Sequence, residues 1–146
     1  MNRLWKLAST AGLITGLALC AAGPGAGAQG KVLTEYRGVQ LGMKQADVRA
    51  KLGAPASSGE AADEFKLTGE DLMTVRYEDG SVTAIQVMIL DVKNAPPFNE
   101  VVGDAPVEQL ESGRKIARKV LEAQKFWVSM SQSKDASMTN ITIKKM

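Results

Sequence analysis

One stretch of the chain decides its fold: Leu72 to Leu90, LMTVRYEDGSVTAIQVMIL. Two runs rich in β-branched and other apolar residues flank the dipeptide Asp79-Gly80. An Asp-Gly pair between such runs favours a two-residue turn, because both residues tolerate positive φ angles. The sequence therefore predicts an antiparallel β-hairpin here, and the other elements can be arranged around it.

The alternation of side chains along this hairpin predicts which face is buried. A two-residue turn pairs Tyr77 with Val82. Val75 then pairs with Ala84, and all four side chains lie on one face. Ile85 and the apolar residues that alternate with it fall on the opposite face. A bulge would shift this phase, but we favour a central strand covered on both faces, because the end of the strand is almost wholly apolar.

A short helix with marked ends is predicted upstream of the hairpin, within residues 38–55. Gly42 lets the chain turn before the helix, Gly53 suits a left-handed C-cap, and Pro55 prevents the helix from continuing. Val48 lies on the apolar stripe that would face the core. The pattern indicates a packing element and not a catalytic one.

The C-terminal part of the chain predicts a second helix and a second pair of strands. Asp104 is a good N-cap and Pro106 suits a first helical turn, so we predict a longer helix that runs to about Gln124. Alternating large apolar residues then predict strands at residues 126–130 and 139–143.

These elements predict a single α+β domain over residues 29–146. Its two halves, residues 29–92 and 93–146, repeat the order of helix and then hairpin. We therefore predict an antiparallel sheet of about four to five strands with helices packed on one face. Local patterns leave open whether both halves share one sheet.

The N-terminus has the composition of a signal peptide. A short basic region precedes a run of small and apolar residues, and Ala26-Gly27-Ala28 fits the small-x-small pattern before a cleavage site. We expect residues 1–28 to be removed and the protein to be periplasmic or secreted. A retained transmembrane anchor is disfavoured, because the run is short and interrupted by polar residues. The alternative is an outer-membrane lipoprotein attached through Cys20, although Leu19 stands where a small residue is usual.

The basic excess of the chain belongs to this leader. The whole chain has 18 basic and 16 acidic residues, and Arg3 and Lys6 lie within the leader, so the remainder is formally neutral. Nucleic-acid binding requires a concentrated positive surface. We therefore expect no nucleic-acid partner, and no transmembrane span in the mature chain.

The available side chains exclude several kinds of enzyme. The chain has no histidine, and its one cysteine is Cys20 in the leader. Serine–histidine and cysteine–histidine mechanisms and the commonest zinc sites are therefore excluded. The pairs Asp63-Glu64, Glu70-Asp71 and Glu78-Asp79 could act in glycoside hydrolysis, but we favour solvated turn residues, since neighbours in a strand point to opposite faces. We predict no enzyme activity, no cofactor and no metal.

A basic cluster beside a tryptophan is the candidate interaction surface. It comprises Arg114, Lys115, Arg118, Lys119 and Trp127. The cluster could contact anionic lipid headgroups or an acidic partner. We favour the alternative, in which it is the solvated face of the predicted helix and complements the helix dipole. Trp127 is either an interface anchor or a core residue of a strand covered on both faces.

Part of the chain resembles the SmpA/OmlA family, the small BamE-type lipoproteins of the outer-membrane assembly machinery. The fold of this family is related to that of the β-lactamase inhibitor protein. The resemblance spans roughly Tyr36 to Ile89 and rests on the following residues: Gly38-Val39-Gln40-Leu41-Gly42-Met43, Val48, Leu52-Gly53, Pro55, Tyr77-Glu78-Asp79-Gly80 and Val82. It implies helices on one face of an antiparallel sheet and a non-catalytic role, and it assigns no binding residue.

Two functional hypotheses follow. The first is an exported, non-catalytic cell-envelope protein that acts as an interaction or scaffold module in outer-membrane assembly or maintenance. Its partner would be another envelope protein or an anionic lipid surface. The alternative is a periplasmic binding module for a small apolar or lipid ligand, held between the sheet and the helices.

Overall fold

The computed structural model describes residues 30–146. The predicted leader and Cys20 lie outside this part of the chain. The described residues form a sheet of eight strands, a second sheet of two strands and short helices. The protein is therefore mostly β structure.

Of the ten strands in residues 30–146, four have two residues and five have seven or more, and the longest lie in the large sheet. The small sheet contains β1 (Glu35–Tyr36) and β2 (Val39–Gln40). The strands of the large sheet are β3 (Ser57–Ser58), β4 (Ala62–Lys66), β5 (Leu72–Glu78), β6 (Ser81–Ile89), β7 (Glu108–Gln109), β8 (Lys115–Leu121), β9 (Phe126–Gln132) and β10 (Thr139–Lys145).

The helices are short and connect or cover the strands. The α-helices are α1 (Gln45–Leu52) and α2 (Phe98–Val101), and the 3₁₀ turns are Val92–Asn94 and Glu122–Gln124. No helix within residues 30–146 has the length and apolar character needed to cross a bilayer.

The large sheet is antiparallel and joins the two halves of the chain. Its strand order is β3-β4-β5-β6-β10-β9-β8-β7. Each half forms a meander of four strands, and the last strands of the two meanders, β6 and β10, pair at the centre over six residue pairs. Both halves therefore contribute to one continuous sheet.

The hairpin of β5 and β6 forms as predicted. Asp79 and Gly80 have φ angles of 50° and 68°, as the two central residues of a type I′ turn require. Tyr77 pairs with Val82. The start of the α1 region is bonded to this hairpin, because the Gly42 amide donates a 2.7 Å hydrogen bond to the Val82 carbonyl.

A β-bulge changes the register above the turn. The register shifts between Arg76 and Tyr77, so that Val75 pairs with Ile85 and not with Ala84. The bulge returns Ile85 to the buried face, where it is 0% exposed. The predicted pairing of Val75 with Ala84 is therefore wrong, and so is the prediction of a strand covered on both faces.

The hydrophobic core lies on one side of the large sheet. Fully buried sheet residues include Met73, Val75, Ile85, Val87, Val128, Met130, Ile141 and Ile143. Val48 of α1, Val39 of β2 and Val101 of α2 join the same cluster and are also fully buried. The short helix predicted within residues 38–55 is confirmed as α1, and so is its apolar contact through Val48.

The predicted helix from Asp104 to about Gln124 is wrong. This segment forms β7, a turn in which Gly113 has a φ angle of 81°, β8 and a 3₁₀ turn. β8 pairs with all seven residues of β9, which buries Ala117 against the core. This pairing with the next strand overrides the helical propensity of the lysine, arginine and leucine residues.

The predicted α+β class is wrong for the same reason. The structure has eight strands in its main sheet, not four to five, and only short helices accompany it in residues 30–146. The strands predicted at residues 126–130 and 139–143 are confirmed as parts of β9 and β10.

Replacing Gly80 with alanine is expected to lower the free energy of unfolding by about 1 kcal/mol, because an L side chain disfavours a left-handed backbone. A Cβ at Gly80 would meet no atom within 4 Å, so the cost comes from the backbone alone. Denaturant unfolding measures it. Gly59→Ala is the control, since Gly59 does not have a positive φ angle. An equal loss in both variants would contradict the turn assignment.

Candidate functional site

The large sheet has a second face, which we call the open face. In residues 30–146 the two α-helices and the small sheet contribute to the core on the other side. The strand registers align the outward side chains in rows across the open face. The middle row is Glu64, Thr74, Gln86, Thr142, Ser129 and Arg118, and the next row is Ala62, Arg76, Ala84, Lys144, Trp127 and Val120.

A polar trough lies across the centre of the open face. It has a volume of about 390 Å³ and takes side chains from β4, β5, β6, β10 and β9, together with Arg114 from the turn before β8. Its lining includes the hydroxyl and amide groups of Thr74, Gln86, Thr142 and Asn140. Side chains of five neighbouring strands therefore line one concavity on this face. The trough offers hydrogen-bond donors and acceptors to a ligand.

An arginine stacks on a tryptophan beside the trough. The guanidinium carbon of Arg118 lies 4.3 Å from the ring centroid of Trp127. Trp127 is half-buried, and it points away from the core to which its neighbours Phe126 and Val128 belong. Stacking restrains the guanidinium plane while its N–H edge remains able to form hydrogen bonds.

The structure separates the basic residues that the sequence groups together. Arg114 lines the trough, and Arg118 lies with Trp127 on the open face. Lys115 and Lys119 alternate with Arg118 along β8, so they belong to the other side of the sheet. The favoured explanation, a solvated helix face, is wrong because the segment is a strand.

Lys119 has a partner on that other side. Its Nζ lies 2.7 Å from Oδ1 of Asp104. The hydrogen bond from Lys119 lowers the pKa of Asp104 below its ordinary value. Both side chains are exposed, so the pair contributes little to stability.

Lys144 belongs to the open face, although sequence analysis did not single it out. It pairs in register with Trp127 on β9 and with Ala84 on β6. The alternation of side chains along β10 could have identified Lys144. Asn140, Thr142 and Lys144 alternate with buried residues and therefore lie on the open face. Arg118 and Lys144 therefore lie next to Trp127 on the open face, while Arg114 lines the trough.

A buried carboxylate fixes α1 to the sheet, and we call this group the Asp63 anchor. Asp63 is 0% exposed. Arg49 binds it in a bidentate manner, with Nε 2.8 Å from Oδ2 and Nη2 2.8 Å from Oδ1. The Tyr77 hydroxyl donates to Oδ2 at 3.1 Å, and Gln45 Nε2 donates to the same oxygen at 3.4 Å. The anchor is structural, because Asp63 accepts hydrogen bonds from all its other members on the covered side.

The anchor changes the acidity of its members. Hydrogen bonds from Arg49 are the main cause that holds the pKa of Asp63 below its ordinary value, while burial acts in the opposite direction. Burial is the main cause that raises the pKa of Tyr77, and its hydrogen bond to Asp63 raises it further. The lowered pKa of Asp63 means that its stabilisation is present above the unfolded value, near 3.8, and is lost as pH falls through the folded value.

Replacing Arg49 with methionine is expected to reverse the pH dependence that Asp63 contributes. Without the guanidinium, burial dominates and raises the pKa of Asp63 in the folded protein above its unfolded value. The deficit in free energy of unfolding relative to wild type should therefore shrink between about pH 7 and about pH 3. Denaturant unfolding at several pH values measures this deficit. Arg76→Met, on the open face, serves as the control, and a deficit independent of pH would contradict the expectation.

The carboxylate pairs noted in the sequence do not converge on a cleft. Asp63 and Glu64 lie on opposite faces of β4, and Asp63 is held in the anchor. Asp71 is also buried, and it accepts a 2.8 Å hydrogen bond from the Leu90 amide. The prediction of solvated turn residues is therefore wrong for Asp63 and Asp71. Within residues 30–146, no group of three or more His, Cys, Asp or Glu side chains is arranged to hold a metal ion.

Comparisons with known proteins inform the fold only. The sequence matches no protein-family model and no curated protein. Among solved structures, the protein is similar to a DUF4309 family protein (YjgB) from Bacillus subtilis subsp. subtilis str. 168. The TM-score is 0.51 at 13% sequence identity, over 80% of this chain and 88% of that chain. At this identity the likeness concerns the architecture and assigns no function.

Proposed function

We propose that the protein is an exported, non-catalytic interaction module of the cell envelope, and that it binds another envelope protein on the open face. One observation carries this proposal. The sheet buries a continuous core on one side, while its other side carries a trough of about 390 Å³ and displays Trp127 beside Arg118.

The composition of the open face supports a docking role. Antiparallel sheets often leave one face in water, so openness alone carries no functional meaning. Tryptophan and arginine are the residue types most enriched at interface centres, and here they are in contact. Val120 lies in the same row as Trp127 and is 40% exposed, which adds apolar area that a partner would bury.

The sequence supports the cellular setting. The leader-like residues 1–28 favour export to the periplasm, or attachment through Cys20 as the alternative. The resemblance of Gly38 to Met43 and of the Tyr77-Val82 hairpin to SmpA/OmlA proteins favours a role in outer-membrane assembly or maintenance. The leader and the resemblance support a role in the cell envelope, and they identify no partner.

The alternative function, a pocket for an apolar or lipid ligand, required space between the sheet and the helices. Side chains occupy the region where α1 meets the sheet. Val48 of α1 and Val39 of β2 are 0% exposed and belong to the same cluster as Met73 and Val75. This packing favours the docking function over the ligand pocket.

The experiment compares matched variants in affinity purification from envelope fractions after mild crosslinking. Thr74→Trp with Thr142→Trp fills the trough without changing charge. Ala46→Trp with Ala50→Trp places the same side chains at exposed positions of α1. We expect wild type and the α1 double variant to retain a specific envelope protein that the trough double variant loses.

Circular dichroism and thermal unfolding check that each variant is folded. These controls exclude unfolding as the cause of a lost partner. Loss of the same partner from the α1 double variant alone would overturn the proposal. So would the absence of any specific envelope protein from the wild-type sample.

A further inference from the structure

The cations of the open face identify the chemistry of the segment that it binds. Resting on the proposed function, we infer that the open face recognises an extended acidic segment of its protein partner. Arg114, Arg118 and Lys144 bind the carboxylates of that segment, and Trp127 is the platform against which it packs.

The first observation is that the cations of this site have no carboxylate partner. Within residues 30–146, the ion pairs are those of Arg49 with Asp63 and of Lys119 with Asp104, both on the covered side. Arg114, Arg118 and Lys144 form no ion pair within these residues. Residues 1–29 contain no aspartate or glutamate, so that segment has no carboxylate side chain to supply.

The second observation is the local charge imbalance. Residues 29–146 are formally neutral as a whole, because both leader charges are basic. However, β8, β9 and β10 contain no acidic residue, and the acids on the open face belong to other strands. Glu64 is on β4, and Glu108 is on β7 beside Ile116. The surface from β8 to β10 therefore has a positive potential that an acidic segment complements.

The third observation is the geometry of the donors. The Arg118 guanidinium lies over the Trp127 ring, and its N–H groups can form a bidentate contact with a carboxylate. Ser129 lies between Arg118 and Thr142 in the same row, and both hydroxyl groups can bond a peptide backbone. The site thus combines carboxylate recognition with backbone recognition.

The sheet geometry also sets the spacing of the acidic residues. Arg118 and Lys144 are two strands and one row apart, which corresponds to about 12 Å between their backbones. An extended chain rises about 3.3 Å per residue, so positions i and i+4 span about 13 Å. Such positions also face the same side of an extended segment. A segment with acidic residues at alternate positions fits this requirement.

The probe is therefore a fluorescein-labelled peptide with five Glu-Thr repeats, and a Lys-Thr peptide of the same length is its counterpart. The full chain carries Trp5→Phe, which leaves Trp127 as its only tryptophan. Fluorescence anisotropy gives the affinity, and Trp127 emission reports contact at the site. We expect saturable binding of the Glu-Thr peptide with a change in Trp127 emission, and weaker binding at high salt.

Charge reversals test the residues. We expect Arg118→Glu to weaken binding about tenfold, and Arg114→Glu and Lys144→Glu to weaken it severalfold. Lys115→Glu is the matched control, because it makes the same charge change on the other side of β8. It should leave the affinity within about twofold.

Equal weakening by Arg118→Glu and Lys115→Glu would overturn the inference, because binding would then follow net charge. The absence of saturable binding would overturn it too, as would binding to phosphatidylglycerol vesicles but not to the Glu-Thr peptide. Arg118→Glu also separates this inference from the proposed function. If the trough double variant loses the partner but the Arg118→Glu variant retains it, the open face is the docking surface. The inference that it binds an acidic segment would then be wrong.

Discussion

Replacing Ile141 with alanine is expected to lower the free energy of unfolding by about 2–5 kcal/mol. Ile141 is 0% exposed and lies at the centre of β10, between Val87 of β6 and Met130 of β9. Truncation removes apolar surface from the core and leaves a cavity that the two flanking strands cannot close. The strand also joins the two halves of the sheet, so the loss affects both meanders.

The measurement is denaturant unfolding. The midpoint should fall, while the slope of the unfolding free energy against denaturant concentration should stay the same. Thr142→Ala is the control, since Thr142 follows on the same strand but lies on the open face. It should change the free energy of unfolding by no more than about 0.5 kcal/mol. Similar losses at both positions would mean that the second face is covered, contrary to the one-sided core.

Replacing Asp63 with alanine is expected to cost about 2–4 kcal/mol at neutral pH. The carboxylate accepts hydrogen bonds from Arg49, Tyr77 and Gln45, and its loss leaves the Tyr77 hydroxyl without this acceptor. The contributions do not add fully, because the Arg49 side chain is 40% exposed and regains contact with water.

Glu64→Ala provides the comparison at the next residue of β4, where the side chain faces the trough. We expect a change of no more than about 0.5 kcal/mol in the free energy of unfolding, again from denaturant unfolding. A larger loss at Glu64 than at Asp63 would contradict the assignment of faces on β4. It would also contradict the role of the Asp63 anchor in holding α1 on the sheet.

The parts of the fold predicted correctly from sequence are those that local chemistry determines. Asp79-Gly80 requires positive φ angles whatever surrounds it, so the turn and the pairing of Tyr77 with Val82 follow from the dipeptide. Gly53 likewise marks the end of α1. The bulge beside Arg76 was not predicted. It places Ile85 on the buried face, and no local sequence preference requires it.

The segment from Lys115 to Leu121 shows why the rest could not be predicted. Its lysine, arginine, alanine and leucine residues suit a helix, and its Ile116 and Val120 suit a strand. The choice depends on β9, which offers a complete antiparallel partner. A contact between segments that are separated by a 3₁₀ turn is not encoded in either segment alone.

The candidate site was predicted in part for the same reason. Arg118 and Trp127 were both identified, but their contact depends on the register of β8 with β9. The same register places Lys119 on the other side, and the register of β10 with β9 brings Lys144 beside Trp127. The anchoring role of Asp63 was not predicted, because it depends on the side chain facing inward on the same side of β4 as Phe65.

Site-specific photo-crosslinking tests the central claim most directly. A photoreactive residue is placed at Ser129, in the middle row of the open face, and in a second variant at Lys51, on the exposed side of α1. If the open face is the docking surface, Ser129 forms a discrete adduct with the envelope protein recovered by affinity purification, and Lys51 does not. An adduct with that protein from Lys51 and none from Ser129 would contradict the account.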